Sequence, residues 1–121
     1  MNSKKPYDQY TKDEIDKYRH QFVKSTLRRA SYRWPWRTVA LQRARVAWGV
    51  YKCEVCQKNI EAKEKQLDHT NPVVDVKKGF KGWDSYCERL FTDSSGFQVL
   101  CFDCHSVKTK DENSKRRRKK K

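Results

Sequence analysis

Apolar residues recur at helical spacing near the start of the chain, where Ile15, Tyr18, Phe22, Val23 and Leu27 form one stripe. Thr11 followed by Glu14 makes a capping box, so the pattern predicts a helix that begins there. Pro35 bars Trp34 from helical geometry and suits the first turn of a second helix. The buried side of that helix would be Ala40, Leu41, Ala44 and Ala47, with Gly49 as its stop. Leu67–Val74 reads as a strand or extended turn, with Pro72 limiting its ladder bonds, and Phe97–Leu100 as a second short strand. Between them, Trp83–Phe91 predicts a short helix with Trp83, Cys87, Leu90 and Phe91 apolar. A last helix is expected from Phe102 to about Glu112. The residues before Tyr10 and those from Ser114 to Lys121 lack any such pattern and are expected to be disordered. Residues 60–66 read as a polar connection, and Val76–Gly82 as a flexible basic loop. The class implied is α+β.

At 121 residues the chain is one domain, divided here into a helical arm (1–49), a core (50–112) and a basic tail (113–121). Hydrophobic residues make up only 36% of it, a thin supply that a structural metal would supplement. The net charge of +14 points to a polyanion, and nucleic acid is the commonest one. Arg28, Arg29, Arg37, Arg43 and Arg45 in the arm, with Lys77, Lys78 and Lys81 in the loop, are the candidate phosphate contacts. The amino terminus is polar, with no apolar run of a signal peptide behind it, and no stretch approaches the roughly 18 apolar residues of a membrane span. A reducing, cytoplasmic setting is expected.

The cysteines sharpen the picture. Cys53-x-x-Cys56 and Cys101-x-x-Cys104 have the spacing of a four-thiolate zinc site, closed when a long loop brings its ends together. Cys87 is the spare and reads as a buried, inert thiol. Inside the clip lies Asp68-His69, and His105 abuts the last cysteine. If the zinc brings the start of the last helix beside the first strand, Asp68 and His105 come together. A carboxylate and an imidazole with open positions suit a divalent catalytic ion such as Mg²⁺ or Mn²⁺. His69 would then be left as a general base on water. In a regular strand, however, neighbours point to opposite faces, so both serve one phosphodiester only if the backbone bends. On the residues alone, His105 is a metal ligand, a bystander of the zinc, or a substitute for one of its ligands.

The two knuckles, Asp68-His69 followed by Pro72-Val73, the Phe97–Leu100 strand, and Cys104-His105 with Lys108-Thr109 and Glu112 together resemble the HNH endonuclease family. The chain is most similar to its small zinc-bearing bacteriophage members, over roughly Arg28 to Glu112. The resemblance implies a ββα-metal (His-Me finger) core clipped by a four-cysteine structural zinc and preceded by a basic helical arm. It implies metal-dependent cleavage of DNA, with His69 as general base, Asp68 and His105 as ligands of the catalytic ion, and Cys53, Cys56, Cys101 and Cys104 on zinc. A phage-encoded enzyme would act in the host cytoplasm, alongside packaging or recombination proteins. One position departs from the family, whose Asn before the apolar-Gln pair is Gly96 here. Ser94, Ser95 or Asn71 are the substitutes at hand, and Gly96→Asn is expected to preserve or raise activity if the loop geometry allows. The rival reading is a zinc-stabilised DNA-binding accessory of packaging or recombination that has lost efficient cutting. A weaker third is an RNA-binding zinc protein, which only the basic tail favours.

Overall fold

The structure is a computed structural model that describes the backbone of residues 5–119 and the side chains through residue 117. It is a small α+β protein that divides into two compact units, residues 1–32 and 33–121. By packing, the division between them falls after Tyr32.

The first unit is one long helix, α1 (Lys12–Ser31), and the segment leading into it. Thr11 accepts from the Glu14 backbone while the Glu14 side chain accepts from the Thr11 backbone, as the capping box requires. Residues 7–9 form a short 3₁₀ turn, against the expectation of disorder up to Tyr10; residues 1–4 lie outside the described residues. The turn is held by its rings, since Tyr7 and Tyr10 pack edge-on against Tyr18, which stacks on Phe22.

In the second unit Pro35 opens α2 (Pro35–Ala44), with Trp34 extended before it. Ala40 and Ala44 are buried as expected. Ala47 is not, because the helix ends at Ala44 and the chain turns into a hairpin of β1 (Arg45–Ala47) and β2 (Val50–Lys52). Gly49 is the turn residue of that hairpin, at φ +73°, rather than a helix stop. β3 (Asn59–Glu61) adds antiparallel to β2 and buries Ile60, so residues 60–66 are more structured than a polar connection.

The second sheet pairs β4 (Gln66–His69) antiparallel with β5 (Phe97–Leu100), with Asp68 opposite Gln98 and His69 opposite Phe97. Between the strands runs a long excursion that carries α3 (Trp83–Leu90), and its neck is closed where the Thr70 amide donates to the Gly96 carbonyl (2.8 Å). Within it the segment expected to be a loose basic loop is a closed turn. The Asp75 carboxylate accepts from the Lys77 and Lys78 amides (2.8 and 2.7 Å), and Gly79 N–H reaches the Asp75 carbonyl.

β5 leads into α4 (Phe102–Lys119), which continues well past Glu112. Lys and Arg propagate a helix readily, and Lys115 pairs with Asp111 one turn back (3.1 Å). Residues 114–119 are thus helical, correcting the expected disordered tail; 120 and 121 lie outside the described residues. The core gathers Ala44, Ile60, Val99 and Leu100 with two of the knuckle cysteines, Cys53 and Cys101, and Leu41, Tyr51 and Leu67 pack against it. Packing and clip are one structure.

Candidate functional site

The four cysteines meet as their spacing predicts. Their sulfurs all lie within 4.8 Å of one another, and Cys56 Sγ is 3.9 Å from Cys101 Sγ. A tetrahedron with Zn–S bonds of about 2.3 Å has edges of about 3.8 Å, so the thiols fit zinc with little movement. Each knuckle folds its second cysteine back on its first: the Cys56 amide points at Cys53 Sγ (3.5 Å) and the Cys104 amide at Cys101 Sγ (3.4 Å). Gln57 takes a left-handed conformation (φ 69°) to complete the first turn. Burial pushes the Cys53 thiol up, but amides of Cys56, Cys101 and Val55 aimed at the sulfur outweigh it and bring the pKa down to about 6. Cys104, donating to Cys101 and crowded by the other sulfurs, is pushed up to about 12. Among the described residues, this is the single cluster of three or more potential ligands. Cys87 is half-buried rather than buried.

Asp68 and His69 alternate as a regular strand requires. Asp68 turns to α4, where Lys108 Nζ lies 2.9 Å from its carboxylate and 2.5 Å from Glu112. Burial lowers the pKa of Lys108, but the two carboxylates more than reverse that and raise it. His105 sits one turn before Lys108 on the same helix, and the contact that Asp68 makes with α4 is the one to Lys108.

His69 turns the other way. Its Nε2 is 2.9 Å from the Leu90 carbonyl at the end of α3, and its ring lies beside Phe97 (4.8 Å). A carbonyl can only accept, so Nε2 carries the hydrogen and the basic lone pair of the neutral ring is on Nδ1. At the neck of the excursion is a polar recess of about 250 Å³ lined by Asn71, Glu88, Arg89, Thr92 and Gly96. Asn71, one of the candidates to replace the family amide, therefore faces Gly96. Ser94 and Ser95 instead belong to the turn capped by Asp93.

Of the basic residues singled out, Arg43 is partly exposed but engaged in a network within its unit. Its guanidinium bonds both carboxylate oxygens of Glu54 (2.8 Å each) and the carbonyls of Ser94 and Phe97 (2.8 Å each). Glu54 in turn accepts from the Val99 amide (2.8 Å). This network ties α2 to the first knuckle and to β5, which gives Arg43 a structural role. Arg37 lies over the Phe97 ring (5.7 Å), Arg29 donates to Ser25, and Arg45 donates to the Ala47 carbonyl (3.3 Å). Arg28, Lys77, Lys78 and Lys81 are exposed.

Sequence reasoning overlooked Glu54 and the Asp68–Lys108 pair, whereas it favours a core role over base stacking for Trp34 and Trp36; Trp36 is 42% exposed. Trp34 donates from Nε1 to the Thr92 carbonyl (2.6 Å) and packs edge-on against Phe91, so it is a core residue. Only Lys108 and Glu112, an i,i+4 pair of opposite charge, left a local signal.

Compared with known proteins, the chain matches no family model, no curated protein and no solved structure. Among the described residues, no helix is long and apolar enough to cross a membrane.

Proposed function

We propose that the protein is a zinc-clipped, HNH-type endonuclease that hydrolyses a phosphodiester of DNA with the help of a divalent ion. The observation that supports the reading is the pairing of the Asp68 carboxylate on β4 with Lys108 on α4, one turn along the sequence from His105. The succession β4, β5, α4, with a cysteine pair at the start of the helix, has the order of a ββα-metal core. Asp68 and His105 would hold Mg²⁺ or Mn²⁺, which supplies charge stabilisation at the scissile phosphate when bound. Lys108, whose ammonium rests on Asp68, marks the same spot as one that receives a cation. His69, fixed through Nε2 to the Leu90 carbonyl, would take a proton from water at Nδ1. Arg89 at the polar recess gives the phosphate a cationic neighbour.

A second reading, a DNA-binding accessory without efficient cleavage, is favoured by one specific arrangement: Asp68 and His69 make their contacts on opposite faces of β4. A supercoiled-plasmid nicking assay with the zinc-loaded protein separates the two. Nicking that requires Mg²⁺ or Mn²⁺ supports the nuclease. Tight DNA binding with intact plasmid at every ion concentration supports the accessory.

A further inference from the structure

Among the described residues, Trp48 is the most exposed large apolar side chain, at 88%. It stands at the tip of the β1–β2 hairpin and contributes almost nothing to packing, unlike Trp34 and Trp83, whose rings are partnered. Yet its turn is firmly held. The Gly49 carbonyl accepts from the Ala62 amide (2.9 Å), and β2 is zipped to β3, whose Ile60 is buried in the core. An indole on a rigid turn has only two side-chain torsions to lose on binding, so its exposed faces are ready to stack.

Two cations are held on carbonyls near this turn. Arg45 folds along β1 to donate to the Ala47 carbonyl (3.3 Å), next to the tip. Lys65 donates to the carbonyl of Ala62, the residue bonded to Gly49, with its ammonium over the Tyr51 ring (4.9 Å). An exposed aromatic face with cations on neighbouring residues suits a nucleobase and its adjoining phosphates. A protein-docking patch would instead need a wide apolar surface, and here the exposed apolar run is short, Val46 to Trp48, and follows Arg45.

We infer that the Trp48 hairpin is a second DNA contact, apart from Asp68, His69 and the zinc, which takes an unstacked base on the indole while Arg45 and Lys65 hold the adjoining phosphates. It rests on the DNA-binding half of the proposed function and is independent of cleavage. A side chain of this kind recognises single-stranded or distorted DNA more strongly than regular duplex.

The test is a titration of full-length, zinc-loaded protein with a labelled thymine homopolymer and with a matched duplex, over a range of salt. Trp48→Ala should weaken single-strand binding about tenfold to a hundredfold, and Trp48→Phe should recover most of the loss. The salt slope should be unchanged in both, because no phosphate contact is removed. Lys65→Ala should lower that slope by about 0.7 on the single strand. Thermal melting of Trp48→Ala should match that of the unaltered protein. Single-strand affinity unaffected by Trp48→Ala, in a protein that binds DNA, overturns this inference and leaves the proposed function standing. A protein that binds neither DNA overturns both. Indole emission that responds to anionic vesicles but not to DNA assigns the hairpin to a membrane surface and overturns the inference too.

Discussion

Thr92 occupies the space in which a side chain on residue 96 would begin. A Cβ built on Gly96 falls 2.3 Å from Thr92 Oγ1, 2.4 Å from Cγ2 and 2.8 Å from Cβ. The glycine is therefore a partner of Thr92, and the simple restoration of the family amide meets a steric wall. Thr92 cannot swing aside easily, because its carbonyl is bonded by Trp34 and its Cβ is itself in the way.

Gly96→Asn should accordingly destabilise the protein, by about 1–3 kcal/mol as overpacking usually does, rather than raise activity. Adding Thr92→Gly should recover much of that loss. Urea unfolding of the two single variants and the double variant measures the coupling. Strictly additive effects would show that the two residues do not compete for one space.

Zinc should bind with a stoichiometry of one, and Cys53→Ser or Cys104→Ser should lose most of the folded signal in circular dichroism. Cys53 and Cys101 belong to the core, so the metal's binding energy is also folding energy. Cys104, pushed up to about 12 in the metal-free fold, must give up a proton to ligate. Zinc affinity should therefore rise with pH through neutrality, with protons released on binding. Elemental analysis and calorimetry in buffers of different ionisation heat check both points.

The Arg43–Glu54 network makes a prediction about acid. Burial raises the Glu54 carboxyl, but bonds from Arg43 and the Val99 amide outweigh it and hold the pKa below 4.5. The folded protein thus binds this proton less readily than the unfolded chain does. The resulting stability is complete above the unfolded value and is lost as pH falls through the lower, folded one. Glu54→Gln should cost about 2 kcal/mol near neutrality, because it leaves Arg43 partly unpaired. The gap between variant and wild type should narrow as pH falls below the ordinary glutamate range. A gap that widens in acid would rule the network out as its source.

His69→Ala removes the proposed base and leaves the clip and the basic surface in place. Nicking should fall by about 10²- to 10⁴-fold with DNA affinity almost unchanged. Equal cutting by the variant and the wild type would sink the HNH mechanism.

Lys108 and a divalent ion would compete for Asp68. Lys108→Met should therefore tighten Mn²⁺ binding, read by paramagnetic resonance of the free ion, while Asp68→Asn should abolish it. The same Lys108→Met change should cost about 1–3 kcal/mol of stability in zinc-loaded protein without Mn²⁺, since it strips two half-buried carboxylates of their partner. Mn²⁺ affinity indifferent to both substitutions would place the ion elsewhere.

Much of the candidate site was legible because its signals are local. Cysteine pairs at fixed spacing, a capping box and a four-residue strand each declare themselves within a few positions. The three-stranded sheet was hidden because its strands are three residues long, too short for alternation to separate from chance. Gly49 reads equally well as a helix stop or a hairpin turn, and only pairing with β3 decides between them. The structural role of Arg43 was hidden because its partners, Glu54 and the carbonyls of Ser94 and Phe97, are distant in sequence. Composition counts a charge but does not say whether it is already spoken for.

The single bond from Thr70 to Gly96 closes the neck of the long excursion that carries α3, and this has an evolutionary consequence. A segment whose two ends are clasped can be lengthened, shortened or exchanged while the strands on either side keep their register. The exchange carries obligations, because the carbonyls that hold His69, Trp34 and Arg43 come from Leu90, Thr92 and Ser94, inside the excursion, and Tyr86 and Leu90 are buried there. Variation is therefore freest where the excursion is exposed, provided whatever replaces it returns acceptors to the same three side chains. Lineages that drop the Leu90 acceptor would keep the scaffold while releasing the imidazole, so on the proposed function cleavage could be lost without losing the fold.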